Sequence, residues 1–410
     1  MLKRDDIDEL VSQAFFLYPL RSLTILTLQM IAGVPQFEEW DRFRHHAIRV
    51  RSLTVGDHEP YRVQYDALQK ICQIYPGPYP LPRLRCISCD DGAELGDEWE
   101  KLMPPTLEEA SMITSDEDNT MAFLGSLLAC GSVKRLYYDE GGNLWGFNQG
   151  EVRAQVSRVV GCLPNLTVVR VGPLLPLAIR HLATLPALKT VELVLDSSTD
   201  YLTLLSASEE SAPFLTLTEL HVQAPAASSK ALLGLLDAIR RTKLERIDVT
   251  FGLDDEAWEE SHAHTPAESQ GKYLNRVTEA LARFTSLESI GFYTCEQHQR
   301  SASLIFDEDA LAQLLQLERL ASLDAGSHPM NFSPLALSQM ASAWHSLRRL
   351  ELGHDCDTDA PAHSVEDLLP FTTSCPNLEA LGVKISGDVS PLSLSKRPAV
   401  EIPTEDADRW

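Results

Sequence analysis

Apolar residues recur along this chain in one short pattern: an apolar residue, two variable positions, a second apolar residue, one variable position and a third. The stretch from Ser346 to Gly353 shows it plainly, with Leu347, Leu350 and Leu352 apolar and Arg349 and Glu351 between them. Alternate side chains of a strand share a face, so this spacing predicts a short strand buried on one side, with Arg349 and Glu351 on the other. Aligned on the first apolar position, the pattern gives twelve units. They are Leu23/Leu26/Leu28, Val50/Leu53/Val55, Leu84/Ile87/Cys89, Val133/Leu136/Tyr138, Leu166/Val169/Val171 and Leu188/Val191/Leu193. The series continues with Leu217/Leu220/Val222, Leu244/Ile247/Val249, Leu287/Ile290/Phe292, Leu320/Leu323/Ala325, Leu347/Leu350/Leu352 and Leu378/Leu381/Val383. Many of the intervals fall near the ~20–29 residues of a leucine-rich repeat, and the longer ones read as insertions.

The intervals carry apolar residues at three- and four-residue steps, which predicts amphipathic helices. Examples are Val152–Val160, Leu177–Leu185, Ala231–Ile239, Leu274–Phe284, Leu311–Leu317, Leu335–Trp344 and Val365–Phe371. Ser229 and Ser364 are placed as N-caps, the latter with Asp367 three residues on. Strand, helix and strand again, linked by right-handed crossovers, predicts an α/β fold with all strands parallel. Units stacked without closure make a leucine-rich-repeat solenoid, a horseshoe with strands on the concave face and helices on the convex face.

By this reading the solenoid spans residues 21–385, with acidic insertions at 90–119, 196–210 and 252–271 projecting from one edge. Residues 1–20 form a helix or remnant, with Ile7, Leu10, Val11 and Phe15 at helical steps. The tail 386–410 carries prolines and acids and is expected to be disordered.

Charge changes the picture further. The chain has 410 residues and a formal net charge of −24. That balance disfavours nucleic acid and anionic membrane surfaces as partners and permits a basic protein partner. If charge drives binding, salt should weaken it. No apolar run approaches the ~20 residues of a membrane span. Acids at Asp5, Asp6, Asp8 and Glu9 stand where a secretory signal would be apolar. Eight scattered cysteines suit a reduced compartment, so the cytoplasm or nucleus is expected.

The unit ends Cys162-Leu-Pro-Asn-Leu166 and Cys375-Pro-Asn-Leu378 resemble the ribonuclease-inhibitor-like leucine-rich repeats. With the segment from Glu39 to Leu53, Glu-Trp-Asp-Arg-Phe-Arg-His-His-Ala-Ile-Arg-Val-Arg-Ser-Leu, the chain resembles fungal F-box proteins bearing irregular repeats of this kind. The resemblance implies a substrate-recognition role in an SCF-type ubiquitin ligase, with the F-box docked on a Skp-type adaptor. No stretch carries the Leu-Pro-x-Glu opening of an F-box, so the adaptor is expected as a partner only if an F-box lies upstream. The other readings are a stand-alone repeat scaffold without a ligase link and a metal-regulated binding module.

Strand phase predicts which side chains line the concave face: Arg135, Tyr137, Arg170, Glu192, His221, Arg246, Asp248, Tyr293, Asp324, Arg349 and Glu351. Tyrosine and arginine are the residue types that anchor protein interfaces. Asp355, Asp357, Asp359 and Glu366 have the spacing of a calcium loop, but Ala360 and Pro361 stand at its sixth and seventh positions, so an acidic loop is the better reading. Cys86 and Cys89 lie inside one strand without a second pair at zinc spacing, which makes them groove or core thiols. His262 and His264 fall in an acidic loop, and His45 and His46 in a surface helix. No phosphate-binding glycine loop or serine nucleophile elbow is present, and a non-catalytic protein without cofactors is expected.

Overall fold

A computed structural model describes residues 37–55, 65–89, 95–114, 116–139, 150–195, 199–206, 212–225, 229–252, 267–294, 305–353 and 363–385. The first apolar unit at Leu23, the 1–20 helix, the loop histidines 262 and 264 and the acidic tail lie outside these residues.

Twelve strands form one open, all-parallel sheet whose spatial order follows the chain. They are β1 (Ser52–Val55), β2 (Cys86–Cys89), β3 (Glu109–Ile113), β4 (Arg135–Asp139), β5 (Val168–Arg170) and β6 (Thr190–Val194). Then come β7 (Glu219–Pro225), β8 (Arg246–Gly252), β9 (Ser289–Thr294), β11 (Ser322–Ala325), β13 (Arg349–Leu352) and β14 (Ala380–Val383). A separate parallel pair, β10 (Phe306–Asp307) with β12 (Met330–Asn331), sits beyond the strand ends.

The second apolar position of each unit is in register across the whole sheet. Leu53, Ile87, Ala110, Leu136, Val169 and Val191 continue into Leu220, Ile247, Ile290, Leu323, Leu350 and Leu381. All but the terminal Leu381 are buried, and each large aliphatic side chain in such a row contributes ~1.5–3 kcal/mol. A one-residue slip in any strand would turn its core row to solvent, so burial fixes the register.

Helices cover the inward face. They include α1 (Phe37–Ala47), α2 (Tyr65–Ile74), α3 (Trp99–Leu102), α4 (Glu117–Leu127), α5 (Gly150–Cys162) and α6 (Pro176–Thr184). The rest are α7 (Tyr201–Ser206), α8 (Ser229–Ala238), α9 (Ala267–Leu281), α10 (Glu308–Ala312), α11 (Pro334–Ala343) and α12 (Leu369–Ser374). Packed helices need ~8–10 Å between axes, whereas paired strands need ~4.8 Å. The helical side must therefore be longer than the sheet side, which makes the sheet the concave surface.

The insertion expected at 90–119 is instead a regular repeat. Leu107, Ala110 and Met112 fill the three apolar positions of β3, and all are fully buried. Trp99 donates from Nε1 to Oδ1 of Asn119 at 2.7 Å and meets the Phe123 ring edge-on, locking α3 against α4. The 196–210 segment likewise contains α7, with Tyr201 and Leu205 buried. Of 252–271, residues 253–266 lie outside the described residues; Gly252 ends β8, and residues 267–271 open α9.

Neighbouring units are stitched by a hydroxyl just before the first apolar position. Thr106 donates to the carbonyl of Leu84 at 3.0 Å, Ser132 to Leu107 at 2.9 Å, Thr216 to Leu188 at 2.8 Å and Ser286 to Leu244 at 2.7 Å. Each bond ties one unit to the carbonyl of the unit before it. Ser364 and Asp367 form the expected capping box: Asp367 N–H donates to the Ser364 hydroxyl at 3.3 Å, and Ser364 N–H to the Asp367 carboxylate at 2.9 Å. Ser229 is the first residue of α8 rather than its cap. Gly353 ends β13 with φ of 58°, where a side chain would start 2.9 Å from Met330, so only glycine suits the turn.

Candidate functional site on the concave sheet

The residues between the apolar positions stand on the uncovered face of the sheet in two register rows. The first runs Ser52, Cys86, Glu109, Arg135, Val168, Thr190, Glu219, Arg246, Ser289, Ser322, Arg349 and Ala380. The second runs Thr54, Ser88, Ser111, Tyr137, Arg170, Glu192, His221, Asp248, Gly291, Asp324, Glu351 and Gly382. Ten of the eleven residues expected on this face fall in these two rows. Tyr293 begins one step further along, paired with Thr250, and reaches back.

At the N-terminal side of the charged stretch, Arg135 is paired with Glu109 of the adjacent strand, with its Nε 2.7 Å from Oε2. Arg170 bridges its two neighbours, lying 5.9 Å from the Tyr137 ring centre and 4.0 Å from the Glu192 carboxylate. Gln223 donates to Glu192 at 3.2 Å. The two arginine–glutamate pairs remain partly exposed, so each contributes ~0–1 kcal/mol and serves geometry more than stability. Arg349 and Glu351 form a similar pair at 3.3 Å on β13.

Asp248 at the middle of the sheet is different. Its side chain is only 9% exposed, and its Oδ2 accepts from His221 Nδ1 at 2.9 Å and from Arg246 at 2.9 and 3.1 Å. Burial works against its charge, but the hydrogen bonds from His221 and Arg246 more than offset this and hold its carboxyl below the ordinary aspartate value. Its other oxygen, Oδ1, is buried without a hydrogen-bond partner, and so is Nε2 of His221.

Gly291 separates Asp248 from Asp324 in the row. The Tyr293 ring folds back over it: a side chain on Gly291 would start 2.5 Å from that ring and 2.6 Å from Oδ1 of Asp248. The Tyr293 hydroxyl donates to Asp324 at 3.4 Å, and Asp324 also accepts from Gly326 N–H at 3.2 Å. Burial first, and then the charges of Asp248 and Asp324, push the Tyr293 hydroxyl up to about 12. Strand phase alone could not single out Gly291, although a glycine inside a strand is a known sign of close approach by another group. Glu109 carries no signal of its own, because β3 lacks the aliphatic spacing of the other strands.

Cys86 sits on the concave face with its Sγ 3.8 Å from Glu109, and Cys89 is in the core. Neither is in a disulfide. His45 is exposed and His46 half-buried on α1. Asp355, Asp357 and Asp359 lie outside the described residues, while Glu366 opens the short helix after the Ser364 cap. Among the described residues no cluster of three histidines, cysteines or carboxylates is placed to hold a metal ion. Nor is any described helix long and apolar enough to cross a membrane.

What the fold and this face define is a class: an open parallel α/β solenoid, arranged like a leucine-rich-repeat horseshoe, with a polar concave sheet. Compared with protein-family models and with curated proteins, the sequence finds no match.

Proposed function

We propose that this chain is a protein-binding module that holds a partner on its concave sheet, similar to the substrate-recognition part of an SCF-type ubiquitin ligase. The observation that carries the reading is the uncovered double row of charged and aromatic side chains from β4 to β13. Such a surface presents arginine and tyrosine anchors at fixed spacing, which suits recognition of a folded or extended protein. The mechanism is non-covalent: the chain binds, and another subunit performs any chemistry. The ligase link rests on the sequence resemblance alone.

Two experiments test this. A photo-crosslinking residue placed at Tyr137 or Arg349 should capture a partner, whereas one at Arg158 or Gln339 on the helical side should not. Capture from the helical positions only would overturn the concave reading. Purified Skp-type adaptor, mixed with this chain and with a version extended upstream, tests the ligase link. Failure with both would leave the stand-alone scaffold. Partner binding should weaken as salt rises, because exposed charges are screened beyond ~8–10 Å at physiological ionic strength.

A further inference from the structure

Two carboxylates flank Gly291 on the concave face, Asp248 on one side and Asp324 on the other. Oδ1 of Asp248 lies beside it with no donor, on a side chain nine-tenths buried. Asp324 flanks it on the other side, where among the described residues its only side-chain donor is the Tyr293 hydroxyl at 3.4 Å, the long limit of a hydrogen bond. The Tyr293 ring occupies the space that a residue with a side chain would have filled. A buried carboxylate oxygen without a donor is costly, and the missing group must be a donor rather than an acceptor. His221 adds to this. Its Nδ1 lies 2.9 Å from Asp248, and its Nε2 is a second buried polar atom without a hydrogen-bond partner.

We infer that the hollow over Gly291 is the seat of a lysine side chain from a basic partner, uncovered when Tyr293 swings aside. This rests on the reading of the concave sheet as the binding face and names the chemistry of its centre. An ammonium is compact and carries three donors, enough to serve Asp248 Oδ1 and Asp324 at once. The swung-out ring can then lie against the cation, a favourable arrangement for an aromatic face. Arg246 and His221 hold Oδ2 of Asp248, so Oδ1 stays directed at the hollow. The seat lies over Gly291 of β9, flanked by Asp248 of β8 and Asp324 of β11, so a long unbranched side chain reaches it more easily than a wide planar one.

The test uses the full chain and a fluorescent peptide of alternating lysine and glycine, read by fluorescence polarisation at physiological salt. Acetylating the lysines should weaken binding at least ~10-fold, as removal of a charge-assisted hydrogen bond does. Asp248→Asn and Asp324→Asn should each cost a similar factor, whereas Glu117→Gln on α4 should leave affinity unchanged. Tyr293→Phe, which keeps the ring but drops its tether to Asp324, should bind as well as the parent or a few-fold tighter. That variant guards against a misfolded Asp248→Asn. The inference is overturned if the acetylated peptide binds equally, if Glu117→Gln costs as much as Asp248→Asn, or if an arginine–glycine peptide binds more tightly than the lysine one. Any of these, with concave crosslinks retained, would remove the lysine seat and leave the binding face standing.

Discussion

Strands β1 to β3 and strands β6 to β11 share one backbone and one register, yet their concave surfaces have little in common. In the first group the second row carries Thr54, Ser88 and Ser111, small and uncharged. In the second it carries Glu192, His221, Asp248 and Asp324, with Tyr293 laid over Gly291. The inward rows, by contrast, are alike: Leu53 and Ile87 are as buried as Ile247 and Ile290. A parallel solenoid thus separates two tasks by side-chain parity. One parity builds the scaffold everywhere, and the other is free to vary from unit to unit.

The strongest challenge to that separation is to cut the inward row in both regions. Ile87→Ala and Ile247→Ala should each destabilise by ~2–5 kcal/mol in urea unfolding. A much smaller loss in β2 would mean that the two regions are not equivalent scaffolds. The outward row should behave unequally. Ser88→Ala should fall within ~0.5 kcal/mol of the parent, while Asp248→Asn should cost ~1–3 kcal/mol because it weakens the bonds from His221 and Arg246.

Acidification sharpens the same contrast. The folded state holds the Asp248 carboxyl below its ordinary value, so its contribution is complete above the unfolded value near ~3.9. It is lost as pH falls through the lower folded value. The stability gap between the parent and Asp248→Asn should therefore be constant near neutrality and narrow below about pH 4, with no such change for Ser88→Ala.

The hydroxyl stitches provide a smaller test that should not distinguish the regions. Thr106→Val and Thr216→Val each remove one bond between units and should cost ~0.5–1.5 kcal/mol by thermal unfolding. Thiol labelling reports the least perturbing difference, that between the two faces of one strand. Among the described cysteines, Cys162 is exposed and should alkylate first. Cys86 should follow slowly, since burial and then the Glu109 charge raise its pKa. Cys89 in the core should resist, as should Cys72 and Cys130, which burial pushes up to about 12 and about 11. Peptide mass spectrometry gives the order.

Eleven of the twelve sheet strands are legible in the sequence, because a three-point apolar spacing recurs where the core demands it. Strand β3 is the exception for a plain reason. Ala110 stands where every other unit carries Leu, Ile or Val at the second apolar position, and Pro104, Pro105 and surrounding acids give the segment the composition of a loop. Orientation of the site residues is legible too, since a period of two leaves no choice once one face is buried. Their partners are not. That Arg135 meets Glu109, or that Tyr293 covers Gly291, depends on which residues lie side by side across strands far apart in sequence.

The order of the sheet carries a mechanical consequence. Every strand of the large sheet pairs only with its neighbours along the chain. Tension applied between the two ends would load the contacts in series, so the arch should come apart like a zip, one unit after another. An optical trap would then record a staircase of small extensions in place of a single rupture.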